Sequence, residues 1–141
     1  MRYVLDSSVA VKWVLPEPDA PKAIGLRDDF HNGVHELLAP DIFPIEIAHA
    51  LTKAERRLRI TPPAGWVGWR TVIADCPLLH PYLLLLPRAY AIASAARVGV
   101  YDCLYVALAE REGCQLVTAD ARLVTNFVVQ FPFIMPLASL P

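Results

Sequence analysis

Four carboxylates stand in surroundings that normally reject charge. Asp6 follows Val4-Leu5 and precedes Ser7-Ser8-Val9, and Glu46 lies between Ile45 and Ile47. Asp102 falls in Val100-Tyr101-Asp102-Cys103-Leu104, and Asp120 in Val117-Thr118-Ala119-Asp120-Ala121. Acids in such settings are kept out of protein interiors unless they are paired or bound to metal. Gathered in one place, four of them repel one another unless a divalent cation neutralises them. A set of hard oxygen donors without Cys or His suits Mg²⁺ or Mn²⁺, which keep open positions for water and phosphate oxygens. Such an ion lowers the pKa of a bound water and steadies the charge that builds on a phosphodiester in its transition state. Hydrolysis of phosphodiesters is therefore the natural chemistry, although the acids alone do not name the substrate.

The elements that must position these acids follow from pattern and punctuation. Tyr3-Val4-Leu5 reads as a short apolar strand ending at Asp6, with Ser7 and Ser8 opening a helix through Val9 to Val14. A second helix runs from about Asp19 to His31-Asn32-Gly33, where Gly can take a left-handed position. Leu37-Leu38-Ala39 is a second strand, after which Asp41 can cap a helix reaching about Leu58, with Pro44 in its first turn. Thr61-Pro62 has the order of an N-cap followed by an N1 proline, and opens a helix to Ala74. The stretch from Pro77 to Pro87 holds three prolines among leucines and has room for a short strand. Arg88 to Arg97 is a helix closed by Gly99, and Asp102 to Glu112 another closed by Gly113. Gln115 to Thr118 is a strand, Ala121 to Phe127 a helix, and Phe133-Ile134 a last strand. Alternation of this kind predicts an α/β fold of three layers, with a central, mostly parallel sheet of four to five strands flanked by helices. One domain over residues 1–141 is expected.

Element lengths then bring the acids together. Ten helical steps from Asp102 to Glu112 advance roughly 15 Å. Five extended steps from Gln115 to Asp120 return roughly 16 Å. Asp120 thus comes back to the edge where Asp102 began. Asp6 ends the first strand, and Glu46 falls early in the helix after the second. All four positions lie at the carboxyl edge of the strands, where open α/β sheets bind their ligands. On the helix of Glu46 the same face continues through His49, Ala50, Lys53 and Arg57, so a cationic stripe adjoins the acids. Plain structural roles compete for some of these residues. Asp6, Asp102 and Asp120 can each be an N-cap, and Ser7 and Thr118 can either hold the acids or serve as cap and strand residues. Glu46, inside a helix between isoleucines, has no capping role.

Bulk properties narrow the field further. Apolar residues make up 55% of the 141 and charged residues 19%, an apolar surplus over the usual ~45–50% that suggests assembly or a partner groove. We expect a homodimer that also binds a small helical partner near Trp66 and Trp69. No apolar run approaches the ~20 residues of a spanning helix, and Met1-Arg2-Tyr3-Val4-Leu5-Asp6 is charged too soon for a signal peptide. Three cysteines without a CxxC pair suit a reducing cytoplasm. The net charge of −1 lacks the global excess of many nucleic-acid binders, but Lys53, Arg56, Arg57 and Arg59 form a local patch. Six scattered glycines build neither a Walker A loop nor GxGxxG, and GxSxG and HExxH are absent. A phosphoacceptor receiver would need a late Lys, yet none follows Lys53. A haloacid-dehalogenase-like phosphatase would need a second Asp where Ser8 stands.

Four blocks carry a resemblance. Leu5-Asp6-Ser7-Ser8-Val9 with Lys12-Trp13, then Glu46-Ile47-Ala48-His49-Ala50-Leu51, then Tyr101-Asp102-Cys103-Leu104-Tyr105-Val106-Ala107-Leu108-Ala109, and finally Leu116-Val117-Thr118-Ala119-Asp120 occur in an order and spacing that resemble PIN-domain toxins of the VapC group. The resemblance implies a parallel-sheet fold and Mg²⁺- or Mn²⁺-dependent endoribonuclease activity. It also implies a homodimer and a cognate antitoxin that occupies the groove. Asp6, Glu46, Asp102 and Asp120 match the family's acidic quartet, with Ser7 and Thr118 at polar positions beside it. The competing expectation is a non-catalytic PIN-like module that binds a partner through a vestigial metal site.

Overall fold

In the computed structural model, which describes residues 1–141, five strands form one wholly parallel sheet in the order β3-β2-β1-β4-β5. The strands are β1 (Arg2–Leu5), β2 (Glu36–Pro40), β3 (Leu78–His80), β4 (Gln115–Thr118) and β5 (Ile134–Pro136). Seven helices alternate with them: α1 (Ser7–Ala10), α2 (Ala20–His31), α3 (Phe43–Arg56), α4 (Pro62–Ala74), α5 (Tyr82–Ala96), α6 (Val100–Glu112) and α7 (Ala121–Phe127). Consecutive residues Val4 and Leu5, Leu37 to Ala39, and Leu116 and Val117 are all buried. Neighbouring side chains on a strand point to opposite faces, so burial of both requires cover on both sides of the sheet. Helix α6 supplies much of one cover: residues Cys103–Ala109 are buried without a break, and α5 packs along it. No helix is long and apolar enough to cross a membrane.

The register places the chemistry. Leu5 pairs with Val117, Val4 with Leu38, and Thr118 with Pro136, so β1, β2, β4 and β5 end at a common edge. The ladder runs one step beyond β1, where the Asp6 N–H donates to the Val117 carbonyl at 3.0 Å. Gly33 takes the left-handed conformation just past α2 (φ 74°), as its place in the sequence predicts.

Several local expectations are corrected. The first helix is only α1, and the chain tightens into a 3-10 turn over Val11–Trp13. Helix α5 begins at Tyr82, not Arg88, and Pro87 lies inside it. Leu85, Ala89, Ile92 and Ala93 bury a continuous face, and that packing outweighs the hydrogen bond Pro87 cannot donate. Asp41 does not cap α3, where Ile42 holds the cap position. Its N–H donates to the His80 carbonyl, and its carboxylate instead accepts from the Tyr82 N–H at 2.9 Å, capping α5. Arg97, in the left-handed conformation (φ 59°), ends α5. Gly99 is therefore the N-cap of α6, which begins at Val100 and places Asp102 inside its first turn instead of at its cap.

Candidate active site

Asp6, Glu46, Asp102 and Asp120 line one open cavity of about 610 Å³, together with Ser7, Ser8, His49, Lys53 and Tyr101. Each acid arrives by its own route. Asp6 directly follows β1 and stands at the cap position of α1, yet its carboxylate accepts no cap hydrogen bond. Asp102 is in the first turn of α6, where the helix dipole favours negative charge. Asp120 does cap α7, accepting from the Arg122 N–H at 2.9 Å. Glu46 is in the first turn of α3.

Hydroxyl groups fix the two most buried acids. Asp6 is 4% exposed, and its Oδ2 accepts from Ser8 Oγ at 2.5 Å and from Thr118 Oγ1 at 2.8 Å. Those hydroxyls are themselves held, since Ser8 Oγ accepts from the Ala119 N–H and Thr118 Oγ1 from the Asp120 N–H, each at 3.0 Å. Glu46 Oε1 accepts from Tyr105 Oη at 2.6 Å and from Ser7 Oγ at 3.2 Å. In both acids one oxygen is clamped while the other has no protein donor. Of the two roles open to Ser7 and Thr118 in the sequence, both take that of holding the acids, to which their side chains here donate. Ser8 and Tyr105 are additions. Ser8 read as a helix-start residue, and Tyr105 carried no role of its own in the sequence. Its spacing of three from Asp102, with a hydroxyl in an otherwise apolar run, was the available signal.

Crowding shows in the proton affinities. Burial pushes the Asp6 carboxyl up to about 6; the Ser8 and Thr118 hydrogen bonds pull it down, and the charges of Glu46 and Asp120 raise it again. Burial also raises Asp102 to about 6, helped by Asp6 and Asp120 and opposed by Arg122. Glu46 is raised by burial, against its hydrogen bonds from Tyr105 and Ser7. Tyr105, buried beside Glu46, is held well above the usual phenol range and so remains a donor. The chain holds no closed cage: no three Asp, Glu, His or Cys side chains stand close enough to enclose a metal ion. An open arrangement still fits a hard divalent cation, because Mg²⁺ is commonly bound through one or two carboxylates and keeps several waters. The donors are all oxygen, mutually repulsive, and each of Asp6 and Glu46 has an oxygen to spare.

The other sequence-derived residues divide. Lys53 reaches the cavity along the same face of α3 as His49 and Ala50. Arg57 does not; it follows the end of α3 and lies outside the cavity lining. Trp66 and Trp69 are also elsewhere. Their rings stack at 5.4 Å on α4, Trp69 Nε1 donates to the Pro44 carbonyl at 3.0 Å, and Trp66 is exposed.

Residues 3–126 match the PIN domain family. Ribonuclease VapC3 of Pyrobaculum aerophilum is 31% identical over 132 residues, covering 90% of this chain and 95% of the relative. Ribonuclease VapC12 of Mycobacterium tuberculosis is 35% identical over 124 residues, covering 87% and 90%. Among solved structures, PAE2754 from Pyrobaculum aerophilum shares the fold with a TM-score of 0.71 at 21% identity, covering 99% of this chain and 94% of that one. VapBC2 from Rickettsia felis, solved bound to a DNA fragment from their promoter, matches with a TM-score of 0.66 at 13% identity, covering 96% and 97%. PIN ribonucleases generally depend on a divalent metal. With a family match across most of its length and VapC ribonucleases among its relatives, the chain belongs to the PIN-domain family.

Proposed function

We propose that this chain is a Mg²⁺- or Mn²⁺-dependent endoribonuclease and the toxin of a toxin–antitoxin pair. The observation that carries the reading is the cavity at the carboxyl edge of the sheet. Four acids remote in sequence meet there, two of them held by hydroxyl donors with one oxygen left free. Kinship with VapC ribonucleases names the substrate that the acids alone leave open.

Asp6, Glu46, Asp102 and Asp120 would serve the cation, one or two by direct ligation and the others through its waters. When bound, it would neutralise their repulsion, polarise a phosphodiester and ease deprotonation of water. The chain's own residues do the rest. Ser8 and Thr118 keep Asp6 in one rotamer, so its free oxygen is preorganised instead of searching. Tyr105 and Ser7 do the same for Glu46, whose free Oε2 can accept a proton from the attacking water. The water oxygen bonds to phosphorus, the bond to the leaving ribose oxygen breaks, and solvent protonates that oxygen. Lys53 and His49, on the α3 wall, face the adjoining phosphates. Arg57 extends the cationic stripe beyond the cavity.

The stacked Trp66 and Trp69, with exposed Val67 beside them, are the proposed surface for the antitoxin. The complex of VapBC2 supplies the precedent for a bound partner. A homodimer and a cytoplasmic location complete the proposal. The three free cysteines, Cys76, Cys103 and Cys114, fit a reducing compartment.

The test is cleavage of RNA by the purified protein with Mg²⁺ or Mn²⁺, with EDTA, and in the Asp102→Asn variant. The proposal expects cleavage only in the first condition. Undiminished activity in EDTA or in Asp102→Asn would remove the mechanism.

A further inference from the structure

Two of the cavity acids are preceded by side chains that belong, by ordinary rules, inside a protein. Ile45 comes before Glu46 in the first turn of α3, and Tyr101 before Asp102 in the first turn of α6. Both are strongly exposed, Ile45 at 71% and Tyr101 at 62%, and both line the cavity. The two helices are tied directly beneath them by the Tyr105–Glu46 hydrogen bond. Each helix therefore presents an acid to the reaction centre and an apolar group to its rim. Lys53 and His49 supply the cationic side of the same cavity.

An anionic ligand explains the cations, but not the rim. A phosphate alone gains nothing from an exposed phenol ring and a branched alkyl group. A nucleotide uses all three: phosphate toward the cation site and Lys53, ribose and base against apolar surface. Resting on the ribonuclease reading above, we infer that Tyr101 is a stacking platform for a nucleobase next to the scissile phosphate, with Ile45 as the apolar contact contributed by α3. A ring can stack only on a base whose face is free, and duplex bases have both faces covered by their neighbours. Tyr101 therefore selects a nucleotide that is unpaired at the cut. Stacking on an aromatic ring tolerates any base, so Tyr101 enforces strand state more than sequence.

The test uses the full-length protein in EDTA, where no cleavage occurs, and a short fluorescent single-stranded RNA of randomised sequence, free or annealed to its complement. Because Tyr101 is a surface side chain, its variants are expected to retain the wild-type circular dichroism spectrum. Tyr101→Phe should bind the single strand within about twofold of wild type, and Tyr101→Ala should bind roughly tenfold more weakly, the lower part of the range for losing a stacked base. With Mn²⁺ restored, Tyr101→Ala should raise KM by a similar factor and change kcat much less. The duplex should bind wild type and Tyr101→Ala equally poorly. Wild-type binding by Tyr101→Ala, or equal loss in Tyr101→Phe, overturns the platform while leaving the ribonuclease reading intact. Absence of any metal-dependent cleavage by wild type overturns both.

Discussion

Replacing Asp6 by Asn should stabilise the metal-free protein while abolishing its activity. Burial and like charge raise this carboxyl from 3.8 to about 6. At about 1.4 kcal/mol per pKa unit, keeping it ionised costs the metal-free fold about 3 kcal/mol at neutral pH. Asn preserves the shape, and its amide oxygen can accept from both Ser8 and Thr118, as Oδ2 does now. The hydrogen bonds from Ser8 and Thr118 to the ionised form are already contained in that cost, so nothing is subtracted for them. The gain is therefore about 3 kcal/mol, equivalent to about 10 °C in Tm for a domain of this size. The pH dependence has a definite sign. The folded state holds the Asp6 proton up to about pH 6, whereas the unfolded chain releases it near 3.8. The penalty is thus absent below about pH 4, grows between 4 and 6, and is complete above 6. Urea denaturation of both proteins in EDTA, at pH 7.5 and again near pH 4, reads the difference directly. The advantage of Asp6→Asn should vanish at the lower pH. A variant less stable than wild type at pH 7.5, or a difference unchanged by pH, would mean that the ionised Asp6 does not burden the metal-free fold. Adding Mn²⁺ at pH 7.5 should reverse the order, because only wild type retains the full set of acids.

Other outcomes follow from the same geometry. Tyr105→Phe keeps the buried ring but frees Glu46 Oε1, and should lower kcat by about 10- to 100-fold with a stability loss of about 1–2 kcal/mol, measured by cleavage rate and urea denaturation. Lys53→Glu should weaken RNA binding more than Arg57→Glu, since Lys53 lines the cavity and Arg57 does not; anisotropy titrations that rank them the other way would displace the proposed path. Gly68→Ala should stabilise the protein by about 1 kcal/mol in thermal melts, because a Cβ there meets Val14 and Leu51 at ordinary contact distances of 3.4–3.6 Å and Ala favours the helix.

Much of the fold was legible because parallel α/β architecture writes itself in short apolar strands and capped helices. The approach of Asp120 to Asp102 could be reckoned from lengths: the run of α6 outward and β4 back returns the chain to its starting edge, while Asp6 and Glu46 were placed by their positions after β1 and early in α3. What failed was punctuation. Pro87 read as a stop, yet the packing of Leu85, Ala89, Ile92 and Ala93 carries a helix through it. Gly99 read as a helix end, but Arg97 takes the left-handed position and releases Gly99 to begin α6. The carboxylate of Asp41 serves a helix that starts 41 residues later, a partner no local pattern reveals. The side chains that hold the acids were half legible. Ser7 and Thr118 stood out as polar neighbours of acids, while Ser8 read only as a helix start and nothing local marked Tyr105 as the partner of Glu46. Arg122, whose charge opposes the rise of Asp102, lies on a helix that gave no hint of facing α6.

The cavity at the carboxyl edge of the sheet is the proposed seat of a hard divalent ion beside Asp6. Crystals soaked in Mn²⁺ and measured at a wavelength where manganese scatters anomalously test that assignment most directly. A manganese peak is expected in the cavity within coordinating distance of Asp6 and at least one of Glu46, Asp102 and Asp120, and it should disappear in Asp6→Asn. A cavity without manganese, at a concentration that supports RNA cleavage in solution, would contradict the assignment.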